Sequence, residues 1–247
     1  PADVHRFLQG KETTIRRDHP DDEAHRGKIV SLTIFDPKEV AGGDSTYQIA
    51  RQPVMPRSHP RDKDRRGDFM LLIWGIPVIH VELKNHGHNV SEATGQIHKY
   101  LQSNIFSGLF NALQVFIGMT PTDMRYFARP RDTSRLTDMF HFEYADFYNE
   151  RYESWQDIAC HFISIPAAHT LIGDYMIADG GDGELKVLRP YQMHAVAAVE
   201  AQMSKVNRVP LEDRGSHDQK GGYIWHTTGS GKTMTSFKTA MLLARDK

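Results

Sequence analysis

The chain has 247 residues, a formal net charge of −1, 39% hydrophobic residues and one cysteine. This length accommodates one large domain or two small ones, and the charge excludes a globally basic nucleic-acid coat, so DNA binding would need a local patch. One cysteine, Cys160, excludes an intrachain disulfide and fits a reducing cytoplasm. No apolar run reaches 18 residues, which argues against a membrane span. The sequence ends within a predicted helix, so we expect a fragment.

Short apolar runs separated by turn residues predict strands in the first half of the chain. A short helix is expected over residues 1–10, and the first strand over 29–35. Further predicted elements are strands at 47–55 (interrupted by Pro53), 69–74 and 78–83, a turn at 75–77, a helix at 92–101 and a strand at 112–119.

A glycine-rich segment, Asp179–Gly183, predicts a linker in the second half of the chain. Before it, a helix is predicted over 155–163, with Pro166 breaking the pattern. After it, we expect a helix near 193–203, a short strand at 223–225 and a helix from Lys232 with Met234, Phe237 and Met241 on one face. The predicted division is a domain at 1–170, a linker at 171–186 and the start of a second domain at 187–247.

Charged residues at the ends of two central strands form the most informative pattern. Asp68 opens one strand, and Glu82 and Lys84 end the next. Because side chains alternate along a strand, Glu82, Lys84 and His80 should share one side, where Asp68 could approach Glu82. Two carboxylates suit Mg²⁺, and a lysine beside them could orient the attacking water of a phosphodiester nuclease. An exposed Glu82–Lys84 salt bridge is the alternative, and His80 is interpreted as a core or supporting residue.

Two neighbouring features are compatible with a nucleic-acid substrate. Gln96 and Tyr100 are four residues apart on the predicted helix and therefore share a face, which could reach a phosphate or base edge beside the metal site or could be a solvated helix face. A basic stretch before Asp68 could follow a DNA backbone, or could be a solvated loop; it comprises Arg57, Arg61, Lys63, Arg65 and Arg66. The role of the acidic cluster at 18–23 is left open.

A phosphate-binding loop is predicted near the end of the chain. Its residues match the second half of the Gly-x-x-x-x-Gly-Lys-Thr pattern, with His226 in place of the first glycine. The loop amides would cradle phosphates at a helix N-terminus, Lys232 would reach the β- and γ-phosphates, and Thr233 would bind Mg²⁺. Upstream, Gln192 could read an adenine edge. The predicted ATP-binding residues are Gln192, Thr228, Gly229, Ser230, Gly231, Lys232 and Thr233.

The order of these motifs resembles the restriction (motor and nuclease) subunit of type I restriction-modification enzymes, over nearly the whole chain. The opening Val4–Leu8 and the stretch from Arg66 to Lys84 are particularly similar. The resemblance implies an α/β fold: a PD-(D/E)xK endonuclease domain with a mixed sheet, followed by the start of a RecA-like superfamily 2 motor domain. It assigns catalysis to Asp68, Glu82 and Lys84, with Gln96 and Tyr100 in support. One departure is Gly67, where the family has proline.

The resemblance also implies partners and cofactors. It predicts Mg²⁺, ATP and double-stranded DNA, together with methyltransferase and specificity subunits, in a bacterial or archaeal cytoplasm. ATP-driven translocation would bring the nuclease to its cut site, and this segment alone is not expected to hydrolyse ATP. Two alternatives stay open: a different nuclease–helicase fusion for repair or recombination, and a non-catalytic DNA-binding assembly module.

Overall fold

The computed structural model describes residues 1–9, 12–16, 24, 26–33, 35–36, 45–55, 57, 64–138, 140–210 and 221–245. The acidic cluster at 18–23 lies outside these residues. The strands are β1 (Glu12–Arg16), β2 (Ile29–Thr33), β3 (Tyr47–Arg51), β4 (Val54–Met55), β5 (Arg65–Arg66), β6 (Phe69–Ile73), β7 (Ile76–Leu83), β8 (Val115–Met119), β9 (Met124–Ala128), β10 (Met176–Ala178) and β11 (Leu185–Val187).

Six α-helices are described besides these strands, and together they give a mixed α/β architecture. A π-helical turn, Ala159–Ile163, continues the third helix, and 3₁₀ turns occupy Gly108–Ala112 and Thr133–Asp138. None of the described helices is both long enough and apolar enough to cross a membrane. The helices are α1 (Ala2–Gln9), α2 (Val90–Gln102), α3 (Trp155–Ile158), α4 (Ile165–Asp174), α5 (Pro190–Asn207) and α6 (Lys232–Arg245).

A five-stranded mixed sheet with the order β3-β6-β7-β8-β9 forms the centre of the fold. Neighbouring strands are antiparallel except for β7 and β8, which are parallel. Because parallel strands need a long crossover, the chain between them carries α2. A tight turn joins β6 to β7 at Trp74 and Gly75, which both have positive φ (52° and 77°), as in a type I′ hairpin.

The two faces of this sheet carry separate apolar cores. Ile79 and Val81 of β7 face the larger core, which also contains buried residues of β10, β11, α4 and α5. His80, between them in sequence, faces the other side and contacts the Tyr100 and Phe106 rings of the smaller core. The alternation predicted for β7 is confirmed, and it decides which side chains of this strand meet α2.

Most predicted elements are present with shifted ends. The turn predicted at 75–77 lies one residue earlier, because Ile76 and Pro77 already belong to β7. Pro166 does not interrupt a helix but lies in the first turn of α4, where a residue without an N–H is tolerated. The strand predicted at 223–225 was wrong: these residues have no strand partner in the described structure, and Trp225 is 87% exposed.

The segment 171–186 is structured, which corrects its description as a linker. It contains the end of α4 and most of the β10–β11 hairpin, whose register pairs Met176 with Val187. Met176 and Leu185 are buried in the larger core. The glycine-rich residues form only the hairpin turn, where the Gly183 N–H donates to the Asp179 carbonyl. The positions of the domain boundaries themselves remain a prediction.

The apolar face predicted for α6 is only partly buried, and of its three members Met234 packs against the larger core. Thr235, Lys238 and Leu242 are buried, whereas Phe237 and Met241 are about half exposed. The cause is a polar anchor: the Lys238 Nζ donates a 2.8 Å hydrogen bond to the carbonyl of Met176. Burial lowers the pKa of Lys238 to about 8. The packing of this helix therefore combines a lysine contact with the hairpin and apolar contacts of Met234 and Leu242 with the larger core.

Candidate active site

Asp68 lies at the start of β6, and the strand pairing holds it beside the end of β7. Its Oδ2 accepts a 2.6 Å hydrogen bond from the N–H of Leu83. The register pairs Phe69 with Val81, so Asp68 stands opposite Glu82. The peptide that Asp68 contacts is the one that links Glu82 to Leu83. The structure thus brings the two predicted acidic residues to the same end of the hairpin.

Glu82 is almost completely buried, at 2% exposure. Its Oε2 lies 3.4 Å from His80 Nε2, and its Oε1 lies 3.6 Å from Lys84 Nζ. Among the described residues, neither Oε2 nor either His80 nitrogen has a hydrogen-bond partner. A buried carboxylate oxygen without a donor is costly. A buried carboxylate oxygen without a hydrogen-bond partner fits a bound cation, and the complete burial of His80 agrees with its interpretation as a core or supporting residue.

A chain of side chains fixes Lys84. Its Nζ donates a 2.6 Å hydrogen bond to Gln96 Oε1, and Gln96 Nε2 donates to the Tyr100 hydroxyl at 2.5 Å. Burial, with the nearby negative charge of Glu82, raises the pKa of Tyr100, although its bond from Gln96 acts in the opposite direction. The predicted Gln96 and Tyr100 pair therefore orients the lysine. Four of the five residues singled out by the sequence, Glu82, Lys84, Gln96 and Tyr100, thus form one series of side-chain contacts, and Asp68 joins it through the Leu83 N–H.

Two glycines, one in β8 and one before Asp68, allow these contacts. A Cβ at Gly118 would lie 2.8 Å from Thr94 Cγ2 and 3.0 Å from the Thr94 backbone nitrogen. Gly118 pairs with Glu82 in the parallel ladder, so α2 crosses β8 directly beside the buried acid. A Cβ at Gly67 would lie 2.5 Å from His80 Cε1. Gly67 stands where the family has proline, and at this position the His80 ring packs too closely for a side chain.

The phosphate loop has the backbone that its sequence predicts. Gly229 and Gly231 have positive φ (76° and 83°), which glycine adopts without a steric penalty. Helix α6 begins at Lys232, immediately after the loop. Lys232, Thr233 and Thr228 are exposed, so the side chains expected to meet phosphate and metal are accessible. A helix N-terminus preceded by such a loop is a favourable anion site.

Gln192 lies beneath this loop rather than at its mouth. It is 2% exposed, and its Nε2 donates to the carbonyls of Ser230 (3.3 Å) and Gly231 (3.2 Å). Its Oε1 accepts from the N–H of Arg189, and Tyr191 donates from its hydroxyl to the Ser230 carbonyl at 2.7 Å. In this arrangement Gln192 supports the phosphate loop, and its contact with adenine stays a prediction.

Comparison with known families decides the identity of the chain. The family model described as "Type I restriction enzyme R protein N terminus" matches residues 5–135, more than half of the sequence. The chain belongs to this family. A second model, described as "Type III restriction enzyme, res subunit", matches residues 185–247, which include the phosphate loop. The two matches fall on the two groups of site residues described above.

Curated relatives are named as endonuclease subunits of type I restriction enzymes. The type I restriction enzyme SauCOLORF180P endonuclease subunit of Staphylococcus aureus (strain COL) is 36% identical over 180 residues, which are 73% of this chain and 18% of that protein. The SsaAORF53P endonuclease subunit of Staphylococcus saprophyticus is 35% identical over 72% of this chain and 18% of its own length. The EcoprrI endonuclease subunit of Escherichia coli is 28% identical over 70% and 54%. The chain thus spans less than a fifth of the staphylococcal relatives.

The structure describes only part of the basic stretch before Asp68. Arg61 and Lys63 lie outside the described residues. Arg57 pairs with Asp64 at 2.5 Å, so its charge is balanced locally. Arg65 and Arg66 form the exposed strand β5, and Arg65 lines a cleft with Lys84. Of the described members, Arg65 is the one that the structure brings to the candidate active site.

Proposed function

We propose that this chain contains a Mg²⁺-dependent endonuclease centre of the PD-(D/E)xK type that cleaves double-stranded DNA. The observation that carries the proposal is the buried carboxylate of Glu82, whose Oε2 is unpaired, between Asp68 and Lys84. No group of three or more histidine, cysteine, aspartate or glutamate side chains in the described structure is arranged to hold a metal. Mg²⁺ needs only one or two carboxylates because it retains several waters.

The residues of the chain have distinct roles in this proposal. Asp68 and Glu82 would hold the cation, which polarises the scissile phosphate and lowers the pKa of a bound water. Asp68 is positioned by the Leu83 N–H, so its carboxylate does not have to reorganise. Lys84, held by Gln96, orients the attacking water and offsets the negative charge that develops on the phosphate. Tyr100 fixes Gln96 and thereby the lysine.

The second proposal concerns the phosphate loop. We infer that it binds ATP, with Lys232 on the phosphates and Thr233 on Mg²⁺, and that in the complete subunit ATP drives translocation along DNA. The support is the loop backbone and the exposure of both side chains. The relatives are named endonuclease subunits of type I restriction enzymes, so we also propose assembly with methyltransferase and specificity subunits.

Plasmid cleavage tests the nuclease assignment. The complete subunit, assembled with its partners and ATP, is compared with Asp68→Ala and Lys84→Ala, with and without Mg²⁺. Both variants should lose cleavage and retain ATP hydrolysis, whereas Lys205→Ala, at an exposed lysine of α5, should cleave normally. Continued cleavage by both site variants would place the nuclease elsewhere. DNA binding without any metal-dependent cleavage by the wild type would favour the non-catalytic module.

A further inference from the structure

An open cleft of about 660 Å³ borders the candidate active site on the α2 side. Its walls carry three cations, Arg65, Lys84 and Lys99. Arg65 and Lys99 are exposed, and no carboxylate of the described chain forms an ion pair with either. Glu92 also lines the cleft, but its carboxylate accepts from the Asn89 N–H at 3.1 Å and contacts His88 at 2.9 Å. Arg65 and Lys99 therefore give this surface positive charge that no carboxylate of the described chain pairs.

Gly95 lies on the same cleft, near the middle of α2. A glycine inside a helix destabilises it by about 1 kcal/mol relative to alanine. Two common reasons for such a glycine do not apply. Its φ is not positive, and a Cβ built at this position meets nothing within 4 Å. By contrast, Gly118 is required by the packing of α2 itself. The chain therefore leaves a bare stretch of helix surface facing an empty, basic cleft.

We propose that Gly95 is the point of closest approach for the sugar–phosphate backbone of duplex DNA, which Arg65 and Lys99 hold on either side beside the metal site. This inference rests on the proposed nuclease function and names the residues that position its substrate. A backbone phosphate carries the negative charge that the two cations attract. A helix without a side chain at Gly95 lets that backbone lie against α2, next to Gln96 and Lys84.

The substitution Gly95→Ala separates this role from a structural one, because the two predict opposite effects. Alanine favours the helix and has free space, so the melting temperature should rise by roughly 2–4 °C. The added methyl group would stand in the DNA contact, so binding should weaken roughly five-fold or more. A merely structural glycine would give the higher melting temperature without weaker binding.

The binding assay uses fluorescence anisotropy of a labelled 20-base-pair duplex in EDTA, so that cleavage does not interfere, at several salt concentrations. Lys99→Gln and Arg65→Gln should each weaken binding and lower the salt slope by about one, as expected for loss of one phosphate contact. Lys205→Gln, which removes an exposed charge outside the cleft, is the matched control and should leave affinity and slope unchanged.

Two outcomes would overturn the proposal: unchanged affinity of Gly95→Ala, or equal losses for Lys205→Gln and Lys99→Gln. Absence of duplex binding by the wild-type chain would also overturn it. Failure of the nuclease assignment itself would be seen separately, because Asp68→Ala should still bind the duplex in EDTA while losing cleavage. If Asp68→Ala cleaves normally but Gly95→Ala binds weakly, the cleft stands as a DNA surface and the metal site does not.

Discussion

The substitution Gly118→Ala should destabilise the protein by pushing α2 away from β8. The new Cβ would lie 2.8 Å from Thr94 Cγ2, 3.0 Å from the Thr94 nitrogen and 3.1 Å from Ala93 Cβ. Of these atoms only Thr94 Cγ2 can move by rotation of its side chain; the Thr94 nitrogen belongs to the helix backbone, and the Ala93 Cβ is fixed to it. Overpacking of this kind costs about 1–3 kcal/mol, and we expect a loss of stability in that range.

Nuclease activity should fall further than the stability loss explains. Gly118 pairs with Glu82, and α2 carries Gln96, which holds Lys84 at 2.6 Å. A shift of the helix by a few tenths of an ångström lengthens this bond, and catalytic groups tolerate little displacement. The expected result is reduced Mg²⁺-dependent cleavage at a temperature where Gly118→Ala remains folded.

Urea unfolding measures the stability effect, with Gly95→Ala as the matched control on the opposite side of the same helix. That control adds the same methyl group where nothing lies within 4 Å and should be stabilised by about 0.5–1 kcal/mol. Adding Thr94→Ser to Gly118→Ala removes Cγ2 but keeps the hydroxyl, so part of the loss should be recovered. A Gly118→Ala protein within about 0.5 kcal/mol of the wild type would refute this account of the packing.

Three further predictions concern the buried polar residues. Glu82→Gln should stabilise the metal-free protein by about 1 kcal/mol, because it removes a buried charge with an unpaired oxygen. The same substitution should abolish the rise in melting temperature on adding Mg²⁺. A rise equal to that of the wild type would contradict the metal site. Burial lowers the pKa of His5 from 6.5 to about 4, so as the pH falls the unfolded chain takes up a proton at His5 before the folded chain does. The contribution of this residue to stability is therefore complete above pH 6.5, and about 3 kcal/mol of the free energy of unfolding is lost as the pH falls to 4. Urea unfolding at both pH values should show this loss reduced in His5→Gln, and an unchanged pH dependence would contradict it. Gln192→Ala should weaken binding of a fluorescent ATP analogue roughly two- to tenfold, because the loop carbonyls lose their donor. The control Gln102→Ala, at the end of α2, should bind the analogue normally. Equal affinities of the two variants for the analogue would argue against the loop contact.

The sequence predicted which candidate residues of β7 share one side because strands have a fixed side-chain period. Placing Glu82 and His80 on one side of β7 required only the alternation of residues, and the structure confirms it. The same reasoning joined Gln96 to Tyr100 through the helical repeat. Such local periods do not depend on distant residues. The contact between Lys238 and the Met176 carbonyl, by contrast, depends on residues distant in sequence, and local periods do not predict it.

The contacts that complete the site depend on register, which local patterns do not contain. Gly118 meets Thr94 only because β8 joins the sheet parallel to β7 with Glu82 opposite Gly118, and a shift of one residue would turn Ile117 or Met119 toward α2. Likewise, the hydrogen bond from Leu83 N–H to Asp68 exists only in the observed β6–β7 pairing. A side chain at Gly118 would exclude α2 from the position in which Gln96 reaches Lys84. The order of the motifs therefore names the catalytic candidates, but a glycine between them decides whether they can meet.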